Sequence, residues 1–210
     1  MAGRRARDPD RTRREILEIA TEEFSQHGFN GARVDKIAAR TRTTKRMIYY
    51  YFGGKEQLYT AVLESAYARI RAAEQRVDVD HLDPVSAIRR LAELTFDHHE
   101  SHPDFIRLVS AENIHSARHM SQSKSLIEMN SPAVELLERI LARGRAAGSI
   151  RRDVDAVDVH MLISAFCFFR MANQHTFGAL FGRRLTDPKL RARYRAMVGD
   201  LVVDYLTSSG

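Results

Sequence analysis

The sequence predicts an all-α protein in two parts, residues 1–55 and 56–210. Apolar residues return at spacings of three and four in segment after segment, the period of a helix with one buried face. Alternating strand-like runs joined by hairpin turn pairs are missing. The charge is divided as well. Residues 1–55 hold 13 Lys and Arg against 7 Asp and Glu, all of the net +6, while the remainder balances. A chain of 210 residues can bury one large core or two smaller ones. Positive charge confined to one part fits a polyanion facing that part and something else facing the other. An acidic membrane surface would attract the same charge, but residues 11–27 mix signs too freely for a basic membrane-binding helix.

Residues 1–9 are poor in apolar side chains and read as a flexible basic arm. Arg4, Arg5 and Arg7 could enter a minor groove or simply stay solvated. A first helix is expected over residues 10–26, with Ile16, Ile19, Ala20 and Phe24 inward and Gly28 as its stop. Residues 34–41 place Val34, Ile37, Ala38 and Thr41 on one face. Arg42 and Thr43 interrupt the pattern, and Thr44 stands as the N-cap of a second short helix. There Met47, Ile48, Tyr51 and Phe52 form a narrow inward stripe, while Lys45, Arg46, Tyr49 and Tyr50 face out. Two short helices so joined make a helix-turn-helix. Basic donors and aromatic hydroxyls on the first turns of its second helix suit phosphates and base edges, because a major groove admits one helix. A solvated basic helix would carry the same spacing.

Gly28-Phe29, Val34-x-x-Ile37-Ala38, Thr44-Lys45 and Ile48-Tyr49-x-Tyr51-Phe52-x-x-Lys55-Glu56-x-Leu58 together resemble the DNA-binding domain of TetR-type bacterial transcriptional regulators, over residues 11–63. The resemblance implies an all-helical homodimer. A three-helix N-terminal DNA-binding domain would sit on a larger helical domain that binds an inducer and dimerises. Phosphate contacts are expected from Arg33, Arg42, Tyr50 and Lys55, base contacts from Lys45, Arg46 and Tyr49, with Thr43 and Thr44 at the turn. The chain departs from the family twice, with Arg42 where Gly is usual and Thr43 where an aliphatic residue is usual. A turn position with φ > 0 costs a residue that has a Cβ.

Lys55-Glu56 opens a longer helix through Leu58, Val62, Ala66 and Ile70 to about Arg76, the link between the parts. An acidic linker (residues 78–83) leads to Pro84, a good first helical residue. Further helices are expected over residues 84–99 and 103–114. Residues 115–130 are weakly patterned, suiting a mobile helix or a flap. Ser131-Pro132 then opens a helix ending at Gly148. Asp155 opens the apolar segment 157–181, and Asp187-Pro188 the last helix. Residues 161–172 are apolar on nearly every face, so that helix must be covered all round. A second copy would cover its outer face through Phe169, Gly178, Gly182, Tyr194, Val198 and Leu201, in keeping with the dimer the resemblance implies. Cover from within the chain is the alternative. An inducer pocket is expected at Phe96, Phe105, Leu137, Phe166 and Met171, with polar anchors from His99, Asn113, Arg170 and Asn173. For each of these, plain core packing is the leading alternative.

A single Cys167 rules out an intrachain disulfide framework and fits a reducing cytosol. No signal peptide is expected, and no stretch is apolar for long enough to span a bilayer, so a cytoplasmic protein is expected. His99-Glu100-Ser101-His102 is one residue short of a zinc-protease motif. A regulatory metal site from His99, His102, Glu112, His115 and His119 is the weaker reading beside helix-end or pocket histidines. No nucleophile motif or phosphate-cradling loop is found. The expectation is therefore no enzyme, no catalytic residues, no metal and no cofactor. The chain should be a sequence-specific transcriptional regulator, a repressor released from a pseudo-palindromic DNA operator by a small-molecule effector. A constitutive or architectural DNA binder, or a metal-responsive helical protein, is the alternative.

Overall fold

The computed structural model describes residues 8–208, so the arm residues Arg4, Arg5 and Arg7 lie outside the described part. The described residues form helices and connecting turns, with no strand. In chain order the helices are α1 (Pro9–Gly31), α2 (Val34–Arg40), α3 (Lys45–Phe52), α4 (Lys55–Gln75), α5 (Pro84–Ser101), α6 (Pro103–Ile114), α7 (Lys124–Ala146), α8 (Ala156–Ala172), α9 (Gln174–Phe181) and α10 (Arg191–Thr207). They divide into two compact units that interleave in sequence. The first holds the chain to Ala66 together with Arg107–Leu126, the second Tyr67–Ile106 and Ile127–Gly210.

In the first unit Asp8 caps α1 by accepting the Asp10 N–H at 3.1 Å, and Ile16, Ala20 and Phe24 face inward. The helix breaks at Gly28 (φ 65°), a conformation glycine reaches at little cost, and one further turn carries the chain to Gly31. Phe29 then packs on Phe24 and on Tyr59 of α4, with ring centroids 6.4 and 5.3 Å away. Ile37, Ile48, Leu58, Val62, Leu63 and Leu108 complete this core.

In the second unit α5, α8 and α10 pack together. Ile88, Leu91, Phe96, Ile140, Val159, Ile163, Val198 and Val202 share one buried cluster with Leu137. Asp83 caps α5 through the Ser86 N–H (3.0 Å), and Asp155 caps α8 through the Val157 N–H (2.6 Å). Removing such a cap costs about 1 kcal/mol.

Two expected boundaries move. The helix expected from Ser131-Pro132 begins at Lys124 and carries Pro132 in its interior. The Ser123 hydroxyl accepts the Leu126 N–H at 3.2 Å and so supplies the start eight residues earlier. The apolar segment 157–181 is two helices, because the chain turns at Asn173 (φ −100°, ψ 8°).

Candidate nucleic-acid interface and effector region

The reading helix α3 is set by local chemistry. Thr44 accepts the Met47 N–H at 3.2 Å, fixing the first turn. Ile48 and Phe52 face the core, and Arg13 lies over the Phe52 ring at 5.1 Å. Met47 does not join that stripe. It is 38% exposed, because Ile48 and Phe52, four residues apart, already define the inward line. Lys45, Arg46, Tyr49 and Tyr50 are exposed, Tyr50 at 79%. Lys45 stands 3.6 Å from Asp35 of α2 and over the Tyr49 ring, a weak tether for an exposed cation. Thr43 is half-buried and Thr44 exposed.

The turn between α2 and α3 carries the departure noted above. Arg42 takes φ 50°, so the left-handed position usual for Gly is filled here by an arginine. Its N–H and that of Thr43 return to the Ala39 and Ala38 carbonyls at 3.3 and 3.0 Å, closing the end of α2. Arg33 is exposed where α2 begins, and its N–H donates to the buried Glu23 carboxylate at 3.0 Å. Glu23 thereby fixes how the chain enters the helix-turn-helix.

Lys55 is half-buried. Its Nζ lies 3.5 Å from the Asn30 carbonyl and 4.9 Å over the Phe29 ring, and burial lowers its pKa against the pull of Glu23. A phosphate contact there would compete with these internal partners.

The residues expected at an effector are scattered rather than gathered. Phe96, His99, Phe105 and Met171 are buried in the second unit, and Leu137 is ordinary core. Asn113 falls in the first unit, exposed, with its amide on the Val109 carbonyl. Arg170 is buried over the Phe96 ring at 4.2 Å and ion-paired with Glu100. Glu100 also receives Arg191, while Arg195 reaches Asp97 and Glu93. Burial would raise the Glu100 pKa, but hydrogen bonds from Arg170 and Arg191 outweigh it and leave the pKa lowered. Asn173 is half-buried at the α8–α9 turn. The sequence reading missed Arg71, whose ion pair with Glu74 is buried (3.0 Å) although the i,i+3 spacing reads as a solvated surface pair. The histidines pair separately: His119 meets Glu112 in the first unit, and His98 stacks on His102 in the second at 4.1 Å. Among the described residues no group of three His, Cys, Asp or Glu converges as metal ligands would.

The expected dimer residues divide in two. Phe166, Phe169, Phe177, Leu185, Tyr194 and Leu201 line an open groove of about 540 Å³, with Arg170 and Arg183 also lining it. Phe169 in the groove, and Met161, Leu180 and Phe181 elsewhere on α8 and α9, are 50–78% exposed. Val198, by contrast, is wholly buried within its own chain, because the inward line of α10 is Val198, Val202 and Leu206 while Met197, Leu201 and Tyr205 face out. Gly182 (φ 64°) ends α9, so its glycine is explained by that turn. A Cβ at Gly178 would meet only the Arg183 carbonyl, at an ordinary 3.7 Å.

A capped, basic reading helix in a helix-turn-helix, joined to a larger helical unit, defines the class: a DNA-binding transcriptional regulator in two parts. Residues 16–62 match the bacterial regulatory proteins of the tetR family, and residues 84–202 match the tetracyclin repressor-like C-terminal domain. The chain belongs to the TetR family of bacterial transcriptional regulators. It is 35% identical to the HTH-type transcriptional repressor NicS of Pseudomonas putida over 201 residues, 96% of this chain and 95% of that protein. It is 40% identical to the repressor SCO4008 of Streptomyces coelicolor over 109 residues, 52% of this chain and 53% of that one. The crystal structure of SCO4942 from Streptomyces coelicolor superposes with a TM-score of 0.69 at 29% identity, covering 92% of this chain and 97% of that one. No helix among the described residues is long and apolar enough to cross a membrane.

Proposed function

We propose that this regulator is a cytoplasmic repressor that binds a pseudo-palindromic operator as a homodimer and leaves it when a small-molecule effector occupies the second unit. The observation that carries this reading is the α3 surface: Lys45, Arg46, Tyr49 and Tyr50 exposed together beside a capped N-terminus. The repressor names of NicS and SCO4008 support the sign of regulation. The exposed apolar face of α8, α9 and α10 supports a second copy as its cover, and two-fold symmetry then gives two reading helices and two half-sites. The effector acts only through its differential affinity for the DNA-competent and DNA-released states.

The test is selection of duplex fragments from a random pool by the purified full-length protein at moderate salt. Enrichment of a sequence with two-fold symmetry is expected. Recovery of unenriched DNA, or of none, would remove the repressor reading.

A further inference from the structure

Five side chains of the second unit are more than nine-tenths buried and carry polar atoms that no described residue satisfies: Arg71 and Glu74 on α4, His98 and His99 on α5, and Arg170 on α8, whose charge Glu100 already meets. On α4 and α5 the unpaired atoms are Nε and Nη1 of Arg71, Oε2 of Glu74, both ring nitrogens of His98 and Nδ1 of His99. Glu74 Oε2 meets Arg71 Nη1 at 3.0 Å without hydrogen-bond alignment, so it balances the charge but leaves both of these atoms and Nε unused. The His98 and His99 rings lie 6.1 Å apart, centroid to centroid, and the Arg71 charge acts on His99 and His160. Aromatic rings flank His99: Phe105 stacks on it with centroids 5.4 Å apart, and Phe168 stands edge-on to it at 6.4 Å.

The donor and acceptor roles can be assigned. A guanidinium only donates. Burial, ahead of its charged neighbours, pushes the His99 pKa down to about 4, so at neutral pH one ring nitrogen carries a proton. That proton lies on the nitrogen bonded to the Cys167 carbonyl, which can only accept, and Nδ1 is therefore a lone-pair acceptor. His98 is likewise neutral, its pKa pushed down to about 3 by burial first, and it offers one donor and one acceptor. The site therefore presents donors at Nε and Nη1 of Arg71 and one His98 nitrogen, and acceptors at the other His98 nitrogen, Nδ1 of His99 and Oε2 of Glu74, around a charge that Glu74 already balances.

We propose that Arg71, His98 and His99 hold the effector, and that it is a small, flat, uncharged molecule bearing a carbonyl oxygen next to an N–H or O–H, as in a lactam. A carboxylate could serve only the donors and would set its charge against Glu74 and the lone pairs of His98 and His99. This assignment rests on the effector-released reading and names the chemistry of its ligand.

The test uses the full-length protein with 15N-labelled histidine and three probes: 2-pyridone, N-methyl-2-pyridone and benzoate. 2-Pyridone at millimolar concentration should shift the ring nitrogens of His98 and His99. N-methyl-2-pyridone, which keeps the acceptor and loses the donor, should bind at least about tenfold more weakly. Benzoate should leave both rings unmoved. Arg71→Met should abolish the 2-pyridone shift; if that variant does not fold, the three-probe comparison on the natural protein decides alone. Benzoate binding as tightly as 2-pyridone, or ring signals blind to 2-pyridone, overturns the proposal. A gel shift on selected DNA separates this from the wider reading. Ring shifts without DNA release keep the ligand site and remove its effector role, whereas release without ring shifts keeps an effector and removes this site.

Discussion

Nδ1 of His119 stands 3.0 Å from Oε1 of Glu112, and both side chains are buried. The other oxygen of the same carboxylate accepts the His119 and Met120 backbone N–H groups, each at 3.1 Å. One carboxylate therefore ties the end of α6 to the turn that follows, where Ser116 and Ala117 take φ 56° and 53°. The His119 ring packs on Phe29 and Tyr59, with centroids 4.4 and 4.9 Å away. Burial, with the Glu112 charge, holds the Tyr59 hydroxyl well above its usual pKa.

Glu112→Ala should destabilise the first unit by about 3 kcal/mol, because it strands two backbone donors and an imidazole in the core. Glu112→Gln, which keeps one acceptor oxygen, should lose roughly half as much. Urea denaturation of the two variants measures this. Equal stability of Glu112→Ala and the natural protein would show that the carboxylate contributes nothing.

The Arg42 turn makes a prediction of opposite sign. A residue with a Cβ at φ 50° carries a left-handed strain of about 1 kcal/mol, and glycine would shed it while loosening the unfolded chain. Arg42→Gly should gain about 0.5 kcal/mol net. Arg42→Ala should gain nothing. A lower urea midpoint for the glycine variant would mean that the contacts of the arginine side chain outweigh the strain.

What could be read in the sequence follows from the range of the forces. Thr44, Asp83 and Asp155 act on the next two or three residues, so α3, α5 and α8 begin where their caps stand. Gly28 breaks α1 for the same local reason. Pro132 misled because proline suits a first turn, while the cap that acts is Ser123, whose hydroxyl is held by donating to the distant Glu64 at 2.8 Å. The burial of the Glu112–His119 and Arg71–Glu74 pairs shows no trace in the sequence. Whether a charged pair is buried depends on which helices close over it, and hydrophobic periodicity does not record that. The same holds for α10, where Val198 and Leu201, expected together at the dimer face, lie on adjacent lines of the helix, one buried in its own chain and the other exposed.

Arg46→Ala and Lys55→Ala should separate base reading from phosphate binding. Arg46 is exposed on α3, and its loss should relax preference among operator variants at one position by about 1–3 kcal/mol. Lys55→Ala should weaken every duplex alike and reduce the salt slope by about 1. Because Lys55 also rests on Phe29, the same change should cost about 0.5–1 kcal/mol of stability. Binding titrations on operator and random DNA at several salt concentrations resolve both. Equal losses on both DNAs for both variants would end the division of labour.

His98 and His99 set a direction for acid stability. Burial holds both folded pKa values, about 3 and about 4, below the ordinary 6.5. The unfolded chain therefore takes up protons that the folded one refuses. Their contribution is complete above pH 6.5 and declines as the pH falls from 6.5 through about 4 and 3. Urea midpoints at pH 7, 6 and 5 should fall in order. In His98→Gln/His99→Gln the fall should be shallower, and an unchanged slope in that variant would place the acid sensitivity elsewhere.

The groove face tests the proposed assembly. Phe169 is 50% exposed and Leu201 43%, and both line the groove, so a carboxylate at either position should leave the isolated chain folded. In a dimer covering that face the same carboxylate would be buried without a partner. A penalty of about 3 kcal/mol corresponds to a dimer at least a hundredfold weaker. Phe169→Glu and Leu201→Glu should therefore sediment as monomers with native helix content and lose operator affinity together with their two-fold symmetry. Val198→Glu serves as the contrast: Val198 is buried within its own chain, so that change should unfold the second unit rather than separate the copies. Phe169→Glu and Leu201→Glu that remain dimeric and bind operator normally would show that two copies meet through another surface.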